Sequence, residues 1–115
     1  MTGAILKITP EKSIELKFTA RRAEKLETLI NASLLNGLAK CDRAGMLAKF
    51  ISCGADIPLE EAYDAYDDFV DNGGTTDTAA GVIFEALVNG GFISKNAAEA
   101  AKKLQGQLHQ TAPQS

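Results

Sequence analysis

Residues 4–30 read AILKITPEKSIELKFTARRAEKLETLI, and the period of their apolar residues changes once. Leu6 and Ile8 alternate with Lys7 and Thr9, and Ile14, Leu16 and Phe18 alternate with Glu15 and Lys17. A period of two gives a strand one apolar and one wet face, so residues 4–18 predict a β-hairpin. Pro10 to Ser13 separate the two runs, and proline suits a turn but not a central strand. From Thr19 the spacing becomes helical, with Ala23, Leu26, Leu29 and Ile30 expected inside and Thr19 as N-cap. A lone hairpin is marginal in water, so its apolar face needs a helical cover.

The rest of the chain supplies that cover. Asn31 is an expected stop, and Ser33 caps a short helix with Leu34, Leu35 and Leu38 inside. Asp42 is an expected N-cap for a helix that turns Met46, Leu47, Phe50 and Ile51 inward and ends near Gly54. Pro58 fits the first helical position of the next helix, and Glu60 and Glu61 suit its first turn. Leu59, Ala62, Tyr63, Tyr66, Phe69 and Val70 form one stripe there, with Asp64, Asp67, Asp68 and Asp71 on the other side. Gly73 and Gly74 end it. Thr75 or Thr76 caps a helix with Ala79, Val82, Ile83, Ala86 and Leu87 inside, stopped by Gly90 and Gly91 with Phe92 folding back on the last turn. Ser94 caps a last, alanine-rich helix over 96–107, and 109–115 read as a flexible tail. The expected class is α+β, mostly α-helical. It consists of one domain over 1–108, with an N-terminal hairpin (4–18) followed by four to five short amphipathic helices.

At 115 residues, with 45% hydrophobic and 23% charged side chains, the chain is of ordinary globular composition. No apolar run is long enough to span a bilayer, so no membrane partner is expected. The net charge of −3 argues against general nucleic-acid binding. It also conceals an asymmetry. Residues 1–56 carry nine basic and six acidic side chains, residues 57–93 carry eight acids and no base, and residues 94–115 carry three lysines and one glutamate. Such a block is either a solvated face or a determinant of partner choice.

Chemistry is hard to assemble from these residues. If Gly73 were the sixth position of an EF-hand loop, Val70 and Ala79 would stand where oxygen ligands are required. Cys41 and Cys53 have neither a second pair nor a nearby histidine, and read as small apolar groups in a reducing compartment. The lone His109 lies in the tail, so no Ser–His–acid set forms. Gly73-Gly74-Thr75-Thr76 precedes a helix, but no lysine follows as in a P-loop. No catalytic residue, metal, cofactor or small-molecule substrate is expected. The stripe of Tyr63, Tyr66 and Phe69 has two readings: core packing, or a partly exposed patch for a partner helix.

The order of the pieces carries a resemblance. A hairpin closing on Ile14 to Thr19 is followed by Arg22-Ala-Glu-Lys-Leu-Glu27 and Asn31-Ala-Ser-Leu-Leu-Asn36. A middle apolar helix leads to Leu59-Glu-Glu-Ala-Tyr63, Asp67-Asp-Phe-Val-Asp-Asn-Gly-Gly74 and Glu85-Ala-Leu-Val-Asn-Gly-Gly-Phe92. Over roughly residues 5 to 93 this resembles the tail assembly chaperones of long-tailed, siphovirus-like bacteriophages and prophages. The resemblance implies a non-catalytic, mainly helical protein of the bacterial host cytoplasm that is absent from the mature virion. It implies binding to the tape measure protein, recruitment of tail tube protein, and self-association into a homo-oligomer. The family has no catalytic motif to carry over. An expected contact surface draws on Tyr63, Tyr66, Phe69 and Val70, with the acidic ridge of Asp64, Asp67 and Asp68 beside it. Two other classes fit the sequence less well. One is a head–tail connector that stays in the virion. The other is a small DNA-binding regulator using Arg21, Arg22, Lys25, Lys40, Arg43 and Lys49.

Overall fold

The computed structural model describes residues 3–41, 43–94 and Asn96. The expected last helix, the tail, the end of the domain at 108 and the capping role of Asp42 lie outside the described residues. Strands β1 (Ala4–Thr9) and β2 (Lys12–Leu16) form an antiparallel hairpin, followed by helices α1 (Ala20–Ile30), α2 (Leu34–Leu38), α3 (Ala44–Ala55), α4 (Leu59–Asp71) and α5 (Thr76–Asn89). The fold is thus α+β and mostly helical, with the strands where the period of two placed them. Ala4 pairs with Leu16 and Leu6 with Ile14, and a register irregularity falls between Lys7 and Thr9 just before the turn. Ala4, Leu6, Ile8, Leu16 and Phe18 face the core, while Ile5, Lys7, Ser13 and Glu15 face water.

β1 lies against α4 and α5, and β2 against α3 and α5. Helix α3 is the hub: it also packs on α1, α4 and α5. Leu47, Ala48, Phe50, Ile51, Ser52, Cys53 and Gly54 are all buried, so α3 is covered on nearly every side, beyond the single inward face expected of it. Ser52 tolerates this because its hydroxyl donates to the Ile57 carbonyl at 2.6 Å.

The helix ends are built locally. Thr19 Oγ1 accepts the Arg22 N–H, Ser33 Oγ accepts the Asn36 N–H, and Thr75 Oγ1 accepts the Thr78 N–H, as the cap residues predict. Helix α3 differs: Arg43 occupies the N-cap position and gives no side-chain cap. At the other ends, Gly73 (φ 91°) and Gly91 (φ 83°) take the left-handed conformation. The Gly74 N–H then donates to the Phe69 carbonyl, and the Phe92 N–H to the Leu87 carbonyl, which closes two Schellman turns.

Helix α3 ends within one residue of Gly54, as expected, but Gly54 is not its left-handed cap. Helix α3 runs on to Ala55 and ends on Asp56, at φ 58°. Gly54 is instead the gap into which Phe18 fits: a Cβ there would lie 2.9 Å from Phe18 Cζ. Its carbonyl accepts both the Lys17 N–H (2.9 Å) and Arg22 Nη1 (3.0 Å). Arg22 Nη1 also donates to the Lys17 carbonyl at 2.8 Å, and Nη2 lies 3.9 Å from the exposed Asp56 carboxylate. One guanidinium therefore ties the start of α1 to the ends of β2 and α3. Arg22→Lys is expected to lower stability by about 1–2 kcal/mol, because an ammonium cannot reproduce the planar fork and charge-assisted hydrogen bonds are of that size. A urea midpoint within error of wild type would contradict this.

Two leucines depart from expectation. Leu29 is 39% and Leu35 is 60% exposed. Helix α1 buries only Ala23 and Leu26 fully, with Ile30 half-buried. In the five-residue α2, turning Leu34 and Leu38 inward leaves Leu35 pointing about 100° away.

Candidate functional site

Helix α4 carries the residues that the sequence singled out. Pro58 stands at its N-cap, where a missing N–H is no loss, and its carbonyl accepts the Ala62 N–H. Glu60 and Glu61 lie in the first turn, where the helix dipole favours acids. The last turn holds Asp68 and Asp71 and no base, against that preference.

The stripe divides in two. Ala62, Ala65, Tyr66 and Phe69 are buried. Tyr66 and Phe69 face each other at 6.0 Å between ring centroids, and the Tyr66 hydroxyl shares a hydrogen bond with Thr76 Oγ1 at 3.1 Å. Gly74 closes over Phe69 so tightly that a Cβ there would come within 2.5 Å of the ring. These two rings therefore belong to the core, and of the apolar surface expected on α4 they contribute almost no exposed area.

Tyr63 and Val70 remain, 41% and 46% exposed. Seven positions apart, they lie within about 20° of each other on the helix and about 10 Å apart along it. Leu59, half-buried, continues the strip toward the N-terminus. The Tyr63 hydroxyl reaches over the start of α3, since a Cβ on Gly45 would sit 3.8 Å from it.

Glu60, Asp64, Asp67 and Asp71 border this strip on the solvent side, with Glu61 and Asp68 beyond them, and all six are exposed. Among the described residues none of these six carboxylates forms an ion pair; the pair found there joins Arg22 and Asp56. A shallow cleft of about 350 Å³ opens at the C-terminal end of α4, lined by Lys7, Pro10, Phe69, Asn72, Gly74 and Thr78 among others. Its walls carry no cluster that points to a ligand.

Elsewhere the chemistry is sparse. Among the described residues no group of three His, Cys, Asp or Glu side chains is placed to hold a metal ion. No described helix is long and apolar enough to cross a membrane. Cys41 and Cys53 are buried in the core, and burial pushes the Cys53 thiol above its ordinary pKa, with Lys25 opposing and Asp56 adding to the shift. Arg22, which the DNA-binding reading offered as a phosphate contact, is committed to backbone carbonyls.

Sequence reasoning did not single out the exposed Leu29 and Leu35 as a surface, nor the exposed Ile5 on the wet side of the hairpin. Their apolar character was visible, but their lack of cover was not. No protein-family model, no curated protein and no solved structure matches this chain.

Proposed function

We propose that this chain is a non-catalytic tail assembly chaperone that binds the tape measure protein of a long-tailed phage and holds it soluble while tail tube protein is recruited. The observation that carries the reading is the outer face of α4. It holds an apolar strip of Tyr63 and Val70, bordered by carboxylates that have no ion-pair partner among the described residues. An amphipathic client helix can lay its apolar face on such a strip. Many copies along one long client add their individually modest contacts through multivalency. The resemblance over residues 5 to 93 supplies the client and the setting: the host cytoplasm, self-association, and departure before the virion is complete.

The test is co-expression with the tape measure protein of the same genome, followed by affinity purification from the soluble fraction. The expected result is a client that is soluble only in the presence of this chain and copurifies with several copies of it. A client that stays insoluble, with nothing copurifying, would overturn the proposal. The chain would then be sought in purified particles.

A further inference from the structure

We propose that the segment received by α4 is a basic amphipathic helix, with lysine or arginine flanking an apolar stripe on the side that meets Asp64, Asp67 and Asp71. This deepens the chaperone reading and rests on it. Charge complementarity carries the argument. Helix α4 holds six acids and no base, and no base occurs between Lys49 and Lys95.

The spacing makes this arrangement unfavourable for the helix itself. Asp64–Asp67, Asp64–Asp68, Asp67–Asp71 and Asp68–Asp71 are neighbours at three or four positions, where like charges repel. Asp68 and Asp71 also oppose the dipole in the last turn, and no base stands there to offset them. The four bordering carboxylates run over about three turns, from Glu60 to Asp71, alongside the two-turn span of Tyr63 and Val70. A helix seated on that strip brings its flanking side chains directly over them. Bases at those positions relieve the repulsion, and acids add to it. The charge thus selects which amphipathic helices bind and speeds their encounter, while the apolar strip supplies contact area.

The experiment uses the full chain and two synthetic helical peptides with the same leucine stripe, one flanked by lysine and the other by glutamate. Binding is read by fluorescence anisotropy at low and high salt. The lysine peptide is expected to bind, with affinity falling as salt rises, and the glutamate peptide is expected not to. In D64K/D67K/D71K the preference is expected to invert. The lysine peptide should bind at least about tenfold more weakly and the glutamate peptide should gain. This variant turns the 64–68 and 68–71 pairs into attractive ones, leaves 64–67 and 67–71 like-charged as lysines, and places lysine near the helix C-terminus, so it should fold about as well as wild type, which a urea titration checks.

Equal binding of both peptides, or an unchanged preference in the triple variant, overturns the inference. So does loss of self-association in the triple variant when neither peptide binds wild type, for the face then meets a second copy. Co-expression separates the two proposals. A tape measure protein kept soluble equally by the triple variant leaves the chaperone reading standing and removes this one. A client that wild type never solubilises removes the chaperone reading, whatever the peptides do.

Discussion

Phe18→Ala is expected to lower the free energy of unfolding by about 3–5 kcal/mol, the range for deleting a fully buried phenylalanine. Phe18 is 0% exposed although it lies beyond the last hydrogen-bonded residue of β2. Its ring meets Phe50 edge-on, with 6.2 Å between centroids, and its far end enters the gap at Gly54. Hairpin, α1 and α3 converge there, because Arg22 fastens the backbone around the same carbonyls. Removing the ring leaves a cavity under three elements that have little freedom to collapse into it. Domains of this kind hold about 5–15 kcal/mol in total, so the variant should be largely unfolded at modest urea or temperature. Far-ultraviolet circular dichroism against urea measures it. Gly54→Ala probes the same joint from the other side. Its gain in helix propensity is about 1 kcal/mol, and the methyl group must displace a packed ring. A Phe18→Ala midpoint close to wild type would show that the hairpin is dispensable to the core.

What was legible in the sequence was local. The period of two at Leu6, Ile8, Ile14 and Leu16 is a property of the strand itself. So are the caps at Thr19, Ser33 and Thr75, the stop at Asn31, and the Gly90-Gly91-Phe92 turn, each satisfied within about six residues of its own helix end. What escaped was set by distant residues. Gly54 looks like any glycine near a helix end, and only the approach of Phe18, 36 positions away in sequence, makes it a packing site. Asp56 takes the left-handed position that glycine usually fills, and nothing in its neighbours announces that. Phe84 is buried but lies off the stripe that periodicity picked out in α5. The division of the apolar stripe on α4 escaped in the same way. Spacing identifies the apolar side of α4, but the width of that side exceeds what α3 and β1 cover. Only packing separates Tyr66, at 7% exposure, from Tyr63, at 41%.

That separation leads to the second large effect. The pair Tyr63→Ala and Val70→Ala is expected to weaken capture of the tape measure protein by about 2–3 kcal/mol, close to a hundredfold, since two central anchors of an interface together reach that size. The same pair should change the urea midpoint little, because both side chains are about half exposed and neither fills the core. Phe69→Ala, one position before Val70, is expected to do the reverse. It should lower stability by about 3–4 kcal/mol, because its ring is 4% exposed and clamped between Tyr66 and the turn at Gly74. Whatever client binding the folded fraction of Phe69→Ala retains should match wild type in affinity. Two adjacent positions on one helix thus divide binding from folding, and the measurement needs both readouts: copurified client, and urea denaturation of the chain alone. Full client capture by the folded Tyr63→Ala, Val70→Ala protein would move the contact surface off α4. The other exposed large apolar side chains among the described residues, Ile5, Leu29 and Leu35, would then be the next positions to substitute. Loss of capture on cutting one of them back to alanine, with the urea midpoint unchanged, would identify the face that holds the client.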